Sequence, residues 1–249
     1  MSFAKKVALV TGGSAGIGAT TAELFAKECA SIAIVGRNEE KLNKVAKCCE
    51  CIGAPTLAIK ADIAKEESAD LIIKKTIEKF GKLDVLVNNA GIYREAALLS
   101  DNFLKTFDDV MNVNIRGVAR ITYYAAPHLI KTKGNIVNIS SIAGLSTMRP
   151  KNIAYRTSKA ALNHFTRSAA LEFASHGVRV NSICPGPTRT GLFDGMSVNL
   201  DNLKSVSALK RILETNEIAD MILYIASDKA KGITGSNFVV DNGCLLMYK

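Results

Sequence analysis

The residues with the clearest chemical potential stand in a glycine-rich run, Thr11-Gly-Gly-Ser-Ala-Gly-Ile-Gly18, between an apolar stretch and an amphipathic one. Glycines at 12, 16 and 18 permit a tight turn and let backbone N–H groups approach a pyrophosphate at the positive end of a helix. The spacing Gly12-x-x-x-Gly16-x-Gly18 meets the general G-x-G-x-x-G pattern only loosely, and a plain glycine-rich turn is the competing reading. The same residues spell Gly12-x-Ser14-x-Gly16, the nucleophile elbow of esterases. A serine hydrolase through Ser14 needs several strands before the serine and a histidine partner after it. One strand precedes Ser14, and His128, His164 and His176 stand in no evident partner motif, so chain order disfavours it. No G-x-x-x-x-G-K-S/T is present, which excludes a P-loop ATPase.

About 20 residues further on, a dinucleotide fold places the group that meets the adenosine ribose. The second apolar run ends there in Gly36-Arg37-Asn38, with no carboxylate at the slot. A guanidinium suits a 2′-phosphate, whereas NAD is recognised by an acidic acceptor for its 2′-hydroxyl. Arg37 therefore favours NADP(H) over NAD(H), against the plainer reading of a solvent-facing loop arginine.

These groups must be positioned by regular elements, and the hydrophobic pattern supplies them. Short, nearly continuous apolar runs at Val7–Thr11, Ile32–Gly36, Thr56–Ala61, Leu83–Asn88, Asn135–Ser140, Arg179–Ile183 and Ser236–Asp241 read as strands covered on both faces. Helical periodicity fills Ala19–Cys29, Glu39–Cys51, Ala69–Phe80, Leu104–Lys131 and Ala154–Ser175 between them. Such alternation predicts an α/β fold: a single doubly wound, Rossmann-type domain over residues 1–249, with a mainly parallel seven-stranded sheet. Residues 188–216 break the rhythm, recover helical character around Ser205–Leu213, and are expected to form a substrate lid.

Composition agrees. At 249 residues, 48% apolar and 22% charged, the chain is ordinary globular protein, which excludes disorder, collagen and a coiled coil. The net charge of +9 invites a nucleic-acid reading, but the basic residues are scattered and aromatics are 6%, so no nucleic-acid partner is expected. Met1–Lys6 is too short for a signal peptide and no long apolar run spans a membrane, so a cytoplasmic protein with reduced thiols is expected. Cys48-Cys-Glu-Cys51 lacks a second ligand pair at finger spacing, and no metal is expected. The acceptor sequence Asn138-Ile-Ser140 lies on a predicted buried strand and is discounted for glycosylation.

Four further segments follow in order: Asn88-Asn-Ala-Gly91, Ile139-Ser-Ser-Ile-Ala-Gly144, Tyr155-Arg-Thr-Ser-Lys159 and Pro185-Gly-Pro-Thr-Arg-Thr190. With the glycine-rich run they resemble the short-chain dehydrogenase/reductase family across essentially the whole chain. The resemblance implies hydride transfer between NADP(H) and a carbonyl or alcohol, and a catalytic tetrad of Tyr155, Lys159, Ser141 and Asn114. Tyr155 would be the acid or base; Lys159, four residues on and so on the same helix face, would favour its phenolate and hold the nicotinamide ribose. Ser141 would bond the substrate oxygen, with Ser140 pointing to the other side of the strand, and Asn114 would anchor a water chain to the lysine. Cofactor contacts carried over by position are Thr11, Gly12, Ser14, Gly16, Ile17 and Gly18, then Arg37, Asn38, Asp62 and Ile63, then Asn89, Ala90 and Gly91, and finally Pro185, Gly186, Thr188 and Thr190, besides Tyr155 and Lys159.

The family's Asp-Gly-Gly reads Asp241-Asn-Gly243 here, and Leu209-Lys-Arg-Ile-Leu213 lacks the glycine often found after the arginine. Leu192, Phe193, Met196, Val198, Leu200, Leu203 and Leu209, with Tyr93 and Met148, could wall a hydrophobic ketone or secondary alcohol of steroid, retinoid or 3-oxoacyl type. The resemblance implies a homo-oligomer, dimer or tetramer, through the helices around Leu104–Lys131 and Ala154–Ser175. Their apolar residues beyond one core-facing stripe, including Tyr123, Tyr124, Ala161, Phe165 and Leu171, give a reason to expect a partner, with a thick core as the competing reading. The rival to an enzyme is a cofactor sensor that keeps the fold without turnover.

Overall fold

Strands buried on both faces must send alternate side chains into two separate cores, and β1 (Val7–Thr11) does so. Ala8 and Val10 pack with Phe25 of α1 (Gly16–Lys27) and Ile218 and Ile222 of α7 (Thr215–Ala226). Val7 and Leu9 face the opposite core, with Ile72 of α3 (Ser68–Phe80) and Ile121 and Leu129 of α5 (Val118–Thr132). Each of these Val, Leu, Ile and Phe side chains, fully buried, contributes about 1.5–3 kcal/mol from the hydrophobic effect. The computed structural model describes residues 2–147, 150–193 and 204–247.

The remaining strands are β2 (Ser31–Gly36), β3 (Thr56–Lys60), β4 (Val85–Asn88), β5 (Asn135–Ile139), β6 (Arg179–Pro185) and β7 (Asn237–Val240). They form one sheet in the order β3-β2-β1-β4-β5-β6-β7, and every pairing is parallel rather than mainly so. The strand order reverses between β1 and β4, which opens a crevice at their carboxyl ends. The other helices are α2 (Glu39–Cys51), α4 (Phe103–Met111) and α6 (Ile153–Phe173).

Two expectations need correction. The helix read over Leu104–Lys131 is interrupted: a π-helical segment, Asn112–Gly117, separates α4 from α5. Its side chains are drawn toward two flanking loops, Asn112 donating to the Ala64 carbonyl (3.3 Å) and Asn114 bonding the backbone of Ile92. Gly117 lets the loop after β3 press close, since a Cβ there would stand 2.9 Å from the Ile63 carbonyl oxygen. The second correction concerns Ser205–Leu213, which makes turns, not a helix. Its backbone pairs outward instead: Leu213 N–H donates to Pro187 and Leu209 N–H to Asn242, while Lys210 takes a left-handed φ of 56°. Helical structure resumes only at α7, which opens with a reciprocal cap between Glu214 and Glu217.

Several strand interiors are polar. Asn88 of β4 pairs in register with Asn138 of β5, and Asn138 with Ser182 of β6. Asn88 Nδ2 donates to Asn138 Oδ1 (2.9 Å) and Asn138 Nδ2 to Thr166 Oγ1 of α6 (2.9 Å), so this buried row ties α6 to the sheet. At the carboxyl end of β7, Asn242 replaces the family's glycine and adopts a φ of 53°, a conformation asparagine tolerates better than most residues.

Candidate active site

A cleft of about 680 Å³ runs across the carboxyl ends of the central strands. One end is built by the turn between β1 and α1. Gly12 and Gly16 take left-handed φ values of 66° and 55°. The N-cap of α1, Ala15, makes no side-chain cap, and the first turn carries no acidic residue, so the helix presents unneutralised N–H groups there. Gly18 allows the loop to fold on itself: a Cβ at this position would lie 2.3 Å from the Gly12 carbonyl oxygen.

The expected cofactor positions divide. Gly12, Ser14, Gly16 and Ile17 line the cleft from the first loop, Arg37 from the end of β2, and Asp62 and Ile63 from the loop after β3. Asn89, Ala90 and Gly91 line it after β4, and Pro185, Gly186, Thr188 and Thr190 after β6. Thr11, Gly18 and Asn38 do not. The Thr11 hydroxyl oxygen accepts from Asn89 N–H (3.0 Å) and Ala90 N–H (3.1 Å), so it braces two loops from behind. Gly18 serves close packing, and Asn38 caps α2, accepting from Lys41 N–H (2.9 Å).

The four tetrad positions come from β5, the π-helical segment and α6. Ser141 follows β5 with extended backbone, and its Oγ accepts from Ala143 N–H (3.1 Å), capping a single 3-10 turn at Ile142–Gly144. Gly144 packs directly on α6, where a Cβ would meet the Lys159 carbonyl carbon at 2.6 Å. Tyr155 and Lys159 lie one turn apart on α6, both buried and both facing the cleft. The Tyr155 ring stands edge-on to Tyr93, centroids 5.0 Å apart, and its hydroxyl bonds Ser141. Lys159 Nζ donates to the Ile139 carbonyl (2.8 Å) and sits 5.7 Å from the Tyr155 ring centre. Ser140 also lines the cleft, but its hydroxyl is engaged with the helix backbone, donating to the Lys159 carbonyl (3.1 Å).

Asn114 contacts neither Tyr155 nor Lys159 through a hydrogen bond. Its Oδ1 accepts from Ile92 N–H (2.8 Å), and its Nδ2 donates to the Ile92 carbonyl (3.0 Å) and to Ser158 Oγ (3.0 Å). It thereby fixes the loop after β4 against α6, placing Gly91 beside Lys159 Nζ.

The electrostatics depart from the expected phenolate. Burial pushes the Tyr155 phenol up to about 12, the Ser141 hydrogen bond only partly opposing it. Burial also pulls the Lys159 ammonium down to about 8. At neutral pH the pair is therefore a protonated phenol beside a mostly protonated, weakly held ammonium. Among the described residues no histidine lines the cleft, so Ser14 lacks the base an esterase requires. The cysteine cluster lies apart from the cleft, Cys48 and Cys51 exposed and the Cys49 thiol pushed up to about 11 by burial.

Residues 12–244 match a family model described as enoyl-(acyl carrier protein) reductase. The chain belongs to the short-chain dehydrogenase/reductase family. It is thus an oxidoreductase of the family, whose members bind a nicotinamide cofactor. Among these dehydrogenases/reductases, it is 39% identical over 251 residues to an uncharacterized oxidoreductase of Thermotoga maritima, covering 98% of both chains. It is 36% identical over 241 residues to the 3-oxoacyl-[acyl-carrier-protein] reductase FabG of Staphylococcus aureus, covering 96% of this chain and 97% of the other. A short-chain dehydrogenase of Burkholderia cenocepacia solved with NADP superposes with a TM-score of 0.93 at 32% identity, over 98% of this chain and 100% of that one.

Ile92, Tyr93, Ile142, Leu192 and Val206 also line the cleft of this dehydrogenase/reductase. Of the expected lid, Leu209 is exposed and does not line the cleft, while Met196, Val198, Leu200, Leu203 and the neighbouring Met148 lie outside the described residues, as does the Phe193 side chain. Asn152, Arg94 and Arg156 also line it, and sequence reasoning passed over all three because nothing in their spacing marks a motif.

Proposed function

We propose that the chain is an NADP(H)-dependent carbonyl reductase acting on hydrophobic, 3-oxoacyl-like substrates. The observation that carries this reading is Tyr155: a buried phenol, hydrogen-bonded to Ser141 and adjacent to Lys159, opening onto the cleft. The residues present fit a dinucleotide phosphate. The uncapped start of α1 suits a pyrophosphate, and the exposed Arg37 guanidinium stands at the ribose end of the cleft.

A bound nicotinamide would supply the hydride. The chain's own residues manage the proton and the charge. Tyr155, protonated at neutral pH, gives its proton to the substrate oxygen, and Ser141 donates a second hydrogen bond to that oxygen as it gains charge. Lys159, near 8, is a stronger acid than Tyr155, near 12, so proton flow from ammonium to phenolate runs downhill and restores the phenol. The apolar wall holds the chain of the substrate. The complete Ser141–Tyr155–Lys159 set disfavours a turnover-free sensor. The exposed Leu104, Tyr123 and Leu171 on α4, α5 and α6 support a homo-oligomer, which a solution mass of twice or four times the protomer would establish.

The test is NADPH oxidation with matched 3-oxoacyl and 2-enoyl thioesters, alongside NADH. Turnover of the 3-oxoacyl substrate with NADPH is expected. Exclusive turnover of the enoyl substrate would assign the enzyme to carbon–carbon double-bond reduction instead.

A further inference from the structure

Deepening that reading, and resting on its assignment of a dinucleotide to the cleft, we infer that Arg120 of α5 is a positioning residue for the adenosine end of the cofactor, acting through the loop after β3. The Arg120 side chain is only 18% exposed, and its Nη1 donates to the Ala64 carbonyl at 3.0 Å. Its ion pair with Glu66 is long, 3.7 Å, and falls on a carboxylate that is 86% exposed, so it contributes little. A guanidinium withdrawn from water costs free energy unless it is hydrogen-bonded, and the bond to Ala64 offsets that cost.

The same carbonyl oxygen takes a second donor, Asn112 Nδ2 (3.3 Å), from the π-helical segment. Two side chains from outside the loop therefore converge on one backbone atom. Ala64 in turn orients the carboxylate of Asp62, whose Oδ1 accepts from Ala64 N–H (3.0 Å), while Lys65 N–H closes a turn onto the Asp62 carbonyl (3.0 Å). Ile63 is seated against Gly117, where a Cβ would also meet Ile63 Cδ1 at 3.0 Å. Asp62 and Ile63 line the cleft, whereas Arg120, Asn112 and Ala64 do not, so the hold is applied from behind. The loop also adjoins the slot of Arg37, since Ala61 N–H donates to the Gly36 carbonyl (3.0 Å). A loop ordered in advance spares an incoming ligand the entropy of ordering it, and the benefit is read as affinity. The catalytic end is held separately, by Asn114 on Ile92 and Ser158, so loosening Arg120 leaves Ser141, Tyr155 and Lys159 in place.

The experiment measures dissociation constants of NADPH and NADH by nucleotide fluorescence and of adenosine 2′,5′-bisphosphate by calorimetry, with steady-state rates beside them, for the wild type, Arg120→Met and Asn112→Ala. Arg120→Met should weaken all three ligands by about tenfold, the reach of one charge-assisted hydrogen bond, and Asn112→Ala by about threefold. KM for NADPH should rise to match, with kcat at saturating NADPH within about twofold of wild type, a split that a loss of fold stability alone does not produce. Asn112→Ala leaves the cation in place and tests the inference even where Arg120→Met fails to fold. Unmoved dissociation constants overturn the positioning role, and so does a fall in kcat at unchanged KM. Weakening confined to NADPH and the bisphosphate, with NADH unmoved, also overturns it, because Arg120 would then act as a charge toward the 2′-phosphate. A wild type that binds NADH and not NADPH overturns the cofactor preference alone, the role of Arg120 being read through NADH. Binding of none of the three overturns the cofactor reading and this inference with it.

Discussion

Lys159 Nζ stands 5.7 Å from the centre of the Tyr155 ring while donating a 2.8 Å hydrogen bond to the Ile139 carbonyl. The ammonium is thus anchored to the end of β5, and its charge reaches the phenol through space. Burial dominates both groups, raising the phenol and lowering the amine. That ordering suits a proton donor for carbonyl reduction, since the phenol is loaded at neutral pH.

Removing the donor alone isolates its role. Tyr155→Phe should keep NADPH affinity within about threefold while lowering the reduction rate by at least about 100-fold, the usual reach of general acid catalysis. Cofactor fluorescence titration and steady-state rates check the two halves. A variant retaining more than about a tenth of the rate would falsify the assignment.

Lys159 gives a stability signature of definite sign. Its amine titrates near 8 in the folded protein and near 10.5 once the chain unfolds, so between those values the unfolded chain binds more protons. The burial penalty is full below about 8 and is relieved as pH rises toward 10.5. Lys159→Met should therefore raise Tm at pH 7 and raise it by less at pH 9.5. The Tyr155 phenol is neutral in the folded chain at pH 9.5 and still mostly neutral once it unfolds, and both proteins carry it, so its contribution cancels in the comparison. An equal gain at both pH values would show that the charge is not the cause.

Catalysis should respond to the same group in the opposite sense. As Lys159 loses its proton above about 8, the charge beside the phenol and the source for its reprotonation disappear. Reduction at saturating substrate should fall through that range, and a flat profile from pH 6.5 to 9 contradicts the proton path.

Arg37 lines the cleft where β2 ends and is exposed to any phosphate placed there. Arg37→Asp should shift the ratio of NADPH to NADH efficiency by about tenfold or more toward NADH, because a charge-assisted bond is replaced by repulsion. Parallel kcat/KM measurements with the two cofactors decide it.

The buried row behind the site predicts a pure stability effect of known origin. Asn138→Ala removes one partner each from Asn88 Nδ2, which keeps Thr122 Oγ1 (3.3 Å), and from Thr166 Oγ1, which still donates to the Leu162 carbonyl (2.8 Å), so each lost bond costs about 0.5–1.5 kcal/mol. Urea denaturation should show a lower midpoint with an unchanged slope.

The strands were legible because burial on both faces leaves a nearly continuous apolar run, and the glycine-rich turn because its backbone shape excludes side chains. Periodicity misread the π-helical Asn112–Gly117, since six residues of altered pitch keep the apolar spacing of their neighbours almost intact. It also missed Asn88 and Asn138 as a linked pair, because register between strands distant in sequence leaves no local mark. Asn38 sits beside Arg37 and was grouped with it, but helix capping claims its side chain. Asn152 was invisible for a different reason: what distinguishes it is a missing partner, and that exists only in three dimensions.

Gly144 has one more consequence. With the turn that carries Ser141 seated on the backbone of Lys159, no methyl group separates the serine's support from the tyrosine's helix. The two oxygen donors are therefore mounted on one packed unit of turn and helix. Ile92, held to the same helix through Asn114 and Ser158, extends that common mounting to the wall of the cleft.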